Sequence, residues 1–243
     1  MKFVLITFSI LGMLSCNSSK NMLPDNSDSQ MTENPTDTPN QLTYLALGDS
    51  YTIGEGVSDA GRYPSQLITK LNTETSKVWD APKVIARTGW TADELEQGIN
   101  RDDIEGNTYD LVTLSIGVNN QYRGLPISKF EEEFEKMLLR AISFARVNSN
   151  HVVVLSIPDW GITPFAAQSG RDKSKIADEI DAYNRLKAKI CEKHDVTYID
   201  ITTLYRKEGA KPDMLAADGL HPSAKMYGLW TDKLFEQVQL KNY

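Results

Sequence analysis

Short apolar runs alternate with amphipathic stretches five times along this chain. That alternation restricts the fold more than any single residue does. The runs are Leu42 to Leu47, Lys83 to Ala86, Asp110 to Ile116, His151 to Ile157 and Val196 to Ile201. They are rich in Val, Ile and Leu, as strands covered on both faces are. Helical patterns follow them. Pro64 to Leu71 carries proline in its first turn, with Leu67, Ile68 and Leu71 on one side. Thr91-x-x-Glu94 reads as a capping box opening a helix to about Ile99, and Ser128-x-x-Glu131 as a second one. The second box leads a long stretch with Phe130, Phe134, Met137, Leu138, Ala141 and Ile142 on its apolar face. Asp172 to Lys193 repeats the pattern, with Cys191 as a buried thiol near its end, and Tyr227, Trp230, Leu234, Phe235 and Val238 mark a closing helix. The expected fold is a three-layer α/β/α domain. Its five-stranded parallel sheet has helices on both faces and a flavodoxin-like strand order, 2-1-3-4-5.

A chain of 243 residues, 40% of them hydrophobic, suffices for one sizeable domain of this kind. Residues 42–243 carry the alternation. Residues 1–15 read differently: Lys2, then a short apolar core from Phe3 to Leu14, too short to span a bilayer. Cys16 follows at once, in Gly-Met-Leu-Ser-Cys, which resembles the lipobox of bacterial lipoproteins. Methionine and leucine depart from that pattern at its first positions, whereas Ser15 fits it. The expectation is a cleaved signal with lipid on Cys16, and a protein held at the membrane of a bacterial cell envelope. Residues 16–41, rich in Asn, Ser, Asp, Thr and Pro, predict a flexible tether.

A net charge of -7 without a basic cluster argues against nucleic acid as a partner. Two cysteines and three histidines, with no His-Glu-x-x-His and no Cys-x-x-Cys, predict neither a disulfide framework nor a zinc site. No metal or cofactor is expected. Gly54-x-Gly56 lacks the third glycine of a dinucleotide fingerprint.

Ligands of open α/β sheets bind at the carboxyl ends of the strands. The topology brings residues distant in sequence to that edge. Ser50 follows the first run, Gly89 the second, Asn119 the third, and Asp218 and His221 the fifth. A serine hydroxyl needs a base, and histidine titrates near neutral pH. An aspartate three residues before that histidine is near enough to orient its ring. Asp218-Gly219 also reads as a turn pair, and Asp49 as a residue shaping the turn before Ser50. His151 and His194 read as structural.

Gly48-Asp49-Ser50, Gly89, Gly117-x-Asn119 and Asp218-x-x-His221, in this order, resemble the blocks of the SGNH/GDSL hydrolase family. The resemblance runs from about Leu42 to Val238. It implies a serine esterase with Ser50 as nucleophile, His221 as base and Asp218 as its orienter. It assigns the oxyanion hole to the N–H groups of Ser50 and Gly89 and the amide of Asn119. It departs at Asn120, where the family commonly has aspartate. The substrates it implies are carboxylic esters: acyl esters, lysophospholipids or thioesters. Carbohydrate O-acetyl groups are an alternative, and a non-catalytic glycan- or lipid-binding module is another. Trp90, Tyr122, Trp160 and Phe165 are candidates for the substrate pocket, with Leu125 and Ile162 beside them on the loops of the active edge.

Overall fold

The computed structural model describes residues 41–243. The expected signal segment, Cys16 and the tether up to Asn40 lie outside the described residues. Five strands form one all-parallel sheet: β1 (Tyr44–Gly48), β2 (Lys83–Ala86), β3 (Leu111–Ser115), β4 (Val152–Leu155) and β5 (Thr197–Ile199), in the order β2-β1-β3-β4-β5. Every residue of β1, β3 and β4 is buried, so both faces of the central sheet are covered. The edge strands β2 and β5 are only partly buried.

The helices are α1 (Ser50–Ile53), α2 (Tyr63–Glu74), α3 (Ala92–Arg101), α4 (Val118–Tyr122), α5 (Ile127–Phe144), α6 (Pro164–Ser169), α7 (Lys173–Lys193), α8 (Thr202–Glu208) and α9 (Ala224–Val238). They pack as two sets: α2 lies on α9, while α5 lies against both α3 and α7. With the sheet between, this is the three-layer α/β/α arrangement. Register aligns the strand ends. Gly48 stands opposite Ala86 on one side and Ser115 on the other, so the loops after β1, β2 and β3 leave the sheet at one level. Buried Lys187 ties the next pair of strands, donating to the carbonyls of Ile116 at 2.9 Å and Leu155 at 2.7 Å.

Two local expectations are corrected. Helix α5 starts at Ile127, directly after Pro126, so Ser128 lies inside the first turn and makes no capping box. The proline sets the backbone for helix entry one step earlier. The box at Thr91 does form, with the Glu94 carboxylate accepting from the Thr91 N–H at 2.9 Å. The stretch after β4 is not all loop. Asp159 caps a 3-10 turn over Trp160–Ile162, and Thr163 caps α6. Helix α8 is capped from two places: Asp200 accepts from the Thr203 N–H at 3.1 Å, and Ser156, just after β4, accepts from the N–H groups of Ile201 and Thr202.

Candidate active site

Glycine is required where β1 ends, since a Cβ on Gly48 would overlap the Thr52 hydroxyl and the Ser115 carbonyl. The chain passes through extended Asp49 and turns at once into α1, whose first residue is Ser50. The Asp49 carboxylate closes that turn by accepting from the Tyr51 N–H at 3.0 Å. Asp49 is 2% exposed, and burial pushes its pKa up to about 7.

From the far end of the domain, the loop before α9 comes to meet Ser50. A bridge between Leu215 and Pro222 closes this loop, and the Ala216 N–H donates to the His221 carbonyl at 2.8 Å. His221 Nε2 then lies 2.9 Å from Ser50 Oγ, and His221 Nδ1 lies 2.6 Å from Asp218 Oδ2. A carboxylate only accepts, so Nδ1 carries the proton and Nε2 of the neutral ring is left to accept from the Ser50 hydroxyl. The second Asp218 oxygen accepts from the N–H groups of Leu220 and His221, at 2.9 and 3.0 Å. Burial raises the Asp218 pKa, but these hydrogen bonds outweigh it and hold the carboxyl below its usual range. The Tyr51 ring packs against the imidazole, with centroids 5.0 Å apart.

Gly89 and Asn119 line the same cavity of about 160 Å³ as Ser50 and His221. Gly89 has φ of 84°, a conformation that favours glycine. Asn119 sits in the first turn of α4, and its amide donates to the Trp90 carbonyl at 3.0 Å. The far wall is aromatic: Tyr122, Trp160 and Phe165 lie with centroids 5.2 to 6.3 Å apart.

Trp90 does not belong to this wall. Its ring folds back over α3 and fills the space where a side chain on Gly98 would stand. Leu125 lines a different cleft with Gln121 and Tyr183, and Ile162 packs toward Gly209. The other histidines are remote from Ser50 in the hydrogen-bond pattern. His151 pairs with the Asn242 carbonyl and His194 with Glu135.

Three residues around the site take roles that the sequence does not assign. Asn120 accepts from the Ala92 N–H at 3.0 Å and donates to Glu133 at 3.2 Å, joining the loop after β2 to α5. Arg171 stacks near the Tyr122 and Trp160 rings, 5.2 and 5.1 Å from their centroids, and donates to the Tyr122 carbonyl. Arg123 reaches back to the Gly89 carbonyl.

No curated protein sequence matches the chain. Several solved structures share its fold. A lipase/acylhydrolase from Enterococcus faecalis superposes with a TM-score of 0.63 at 19% identity, over 84% of this chain and 99% of that one. The psychrotrophic esterase EstA from Pseudoalteromonas sp. gives 0.60 at 18%, over 82% and 97%. An acetylxylan esterase from Geobacillus stearothermophilus gives 0.62 at 17%, over 82% and 95%. The model of the GDSL-like lipase/acylhydrolase family matches residues 46–229, from within β1 into α9. With most of the domain inside that match, the chain belongs to the GDSL-like lipase/acylhydrolase family.

Proposed function

We propose that this hydrolase is a serine esterase working through an acyl-enzyme. The observation that carries the reading is the unbroken line Asp218–His221–Ser50, opening into a cavity that Gly89 and Asn119 also line. His221 Nε2 takes the Ser50 proton as Oγ attacks the ester carbonyl. Asp218 keeps the ring in the right tautomer and stabilises the imidazolium. The N–H groups of Ser50 and Gly89 and the Asn119 amide donate to the oxyanion. The imidazolium then protonates the departing alcohol, and water repeats the sequence to release the acid.

The substrate class is carboxylic esters of short or medium acyl groups, since a cavity of about 150 Å³ is filled by a molecule the size of benzene. Removal of O-acetyl groups from carbohydrate is a second reading. Tyr122, 42% exposed at the cavity, is available to stack on a sugar ring, and one structural neighbour is an acetylxylan esterase.

A fluorophosphonate probe tests the chemistry. The wild type should be labelled on Ser50, and Ser50→Ala should lose both labelling and roughly 10⁴ or more of kcat while staying folded. Ordinary turnover by that variant would remove Ser50 from the role. Hydrolysis of p-nitrophenyl butyrate against acetylated xylan separates the two substrate readings. We also propose that the enzyme acts from a lipid anchor on Cys16. Cys16→Ala should then move from the membrane to the soluble fraction.

A further inference from the structure

We propose that Arg123 is a positioning residue for the oxyanion donor at Gly89, an inference that rests on the serine-esterase reading. Glycine does not hold one backbone conformation unaided. Yet the Gly89 N–H can stabilise charge only if its peptide stays fixed while the substrate carbonyl becomes tetrahedral. The Gly89 carbonyl, one peptide further on, accepts from Arg123 Nη2. The guanidinium is itself held in a fork by Glu94, with Nη1–Oε1 and Nη2–Oε2 both at 3.1 Å. Glu94 belongs to the first turn of α3 and also accepts from the Thr91 N–H. Its hydrogen bonds from Arg123 hold its carboxyl below the usual range. A planar two-pronged cation suits this arrangement, where a lysine would serve only one acceptor well.

Arg123 follows the last residue of α4, four positions after Asn119. One side chain therefore links the segment carrying Asn119 to the segment carrying Gly89, two of the three proposed donors. On the other side, the Thr88 hydroxyl donates to Glu55, so the Gly89 loop is held from both flanks. Arg123 is 44% exposed and Glu94 36%. An ion pair that open adds little to folding stability. Its effect should therefore appear in the reaction and not in the melting temperature.

The test compares Arg123→Ala, Arg123→Lys and Glu94→Gln with the wild type on p-nitrophenyl butyrate. The expected loss in kcat for Arg123→Ala is roughly tenfold to a hundredfold, with KM within about twofold and melting unchanged. Arg123→Lys should recover only part of it. Guanidinium ion, at concentrations far below those that unfold proteins, should restore some activity to Arg123→Ala. It should restore none to Asn119→Ala, whose donor is gone. If Arg123→Ala fails to fold, Glu94→Gln carries the same test, because it releases the fork and leaves the arginine. An unchanged kcat in these variants, with an active wild type labelled on Ser50, overturns the positioning role alone. A change confined to KM shows that Arg123 binds substrate directly. A kcat loss that tracks a fall in melting temperature shows a structural role only. An inactive, unlabelled wild type overturns the esterase reading, and this inference with it.

Discussion

Asp218 holds His221 twice, once by accepting from its backbone N–H at 3.0 Å and once by accepting from ring Nδ1 at 2.6 Å. One carboxylate thus forms the turn and orients the imidazole on that turn. The turn-residue and triad readings of Asp218 are not alternatives at this position. Asp218→Asn retains an oxygen for the two N–H groups but loses the anion that selects the tautomer. We expect kcat to fall by as much as about 10⁴ with little change in folding. The depressed carboxyl pKa adds a sign. Its contribution to stability is present above the unfolded value and is lost as pH falls through the folded one. Acid unfolding of wild type and Asp218→Asn should therefore converge at low pH, and divergence there would contradict the assignment.

Asn120 stands where the family commonly has aspartate, and the structure gives a physical reason. The side chain is 0% exposed and donates to the Glu133 carboxylate. An aspartate there would set a second carboxylate against the first and lose the donor. Asn120→Asp should cost roughly 1–3 kcal/mol at neutral pH. Glu133→Gln in the same chain should recover most of it. Denaturant melts of the single and double variants measure both, and an additive pair would disprove the contact.

The central strands are legible from the sequence because strands buried on both faces read as continuous apolar runs, as in Tyr44–Gly48 and Leu111–Ser115, and their alternation with helices implies the doubly wound order. Ser50, Gly89, Asn119 and His221 can be grouped from sequence because each follows a strand of one parallel sheet. Side-chain direction in loops is not legible in this way. Trp90 turns away because Gly98, on the following helix, leaves room for its ring. Arg123 is silent in sequence because its partner Gly89 is a backbone carbonyl in another loop, and a carbonyl has no residue type.

Buried Asp49, beside Ser50, gives a pH prediction independent of activity. Its folded pKa is raised by burial to about 7 from 3.8, against the lowering effect of Lys187. The folded state therefore holds a proton that the unfolded chain has already released. Asp49 contributes its full stability below the unfolded value and loses it as pH rises through about 7. Asn keeps the oxygen that accepts from the Tyr51 N–H and carries no charge. Between about pH 4 and about pH 8, the stability difference should move in favour of Asp49→Asn by up to a few kcal/mol, at ~1.4 kcal/mol per pH unit. A difference independent of pH would show that Asp49 titrates normally.

A preference in acyl length is predicted from what lines the cavity. Tyr122, Trp160, Phe165, Val118 and Leu220 supply apolar surface around about 160 Å³. Trp90, Leu125 and Ile162 add nothing to it, so the wall is shorter than the loop sequences suggest. Arg171, stacked near Tyr122 and Trp160 and bonded to the Tyr122 carbonyl, should resist displacement of that wall by a longer chain. Each buried CH₂ is worth about 0.8 kcal/mol, so two of them should raise kcat/KM from acetate to butyrate roughly tenfold. Beyond a medium chain the cavity is full, and further carbons lie in water or strain the rings. We expect kcat/KM on p-nitrophenyl esters to peak at short or medium acyl groups and to fall well before palmitate. Phe165→Ala should move the peak to longer chains by removing one ring of the wall. A sharp maximum at acetate with almost no butyrate activity would favour carbohydrate deacetylation, with Tyr122 stacking on the sugar and the acyl side closed. A maximum at palmitate would mean that the Tyr122–Trp160–Phe165 wall opens, and that Arg171 does not hold it.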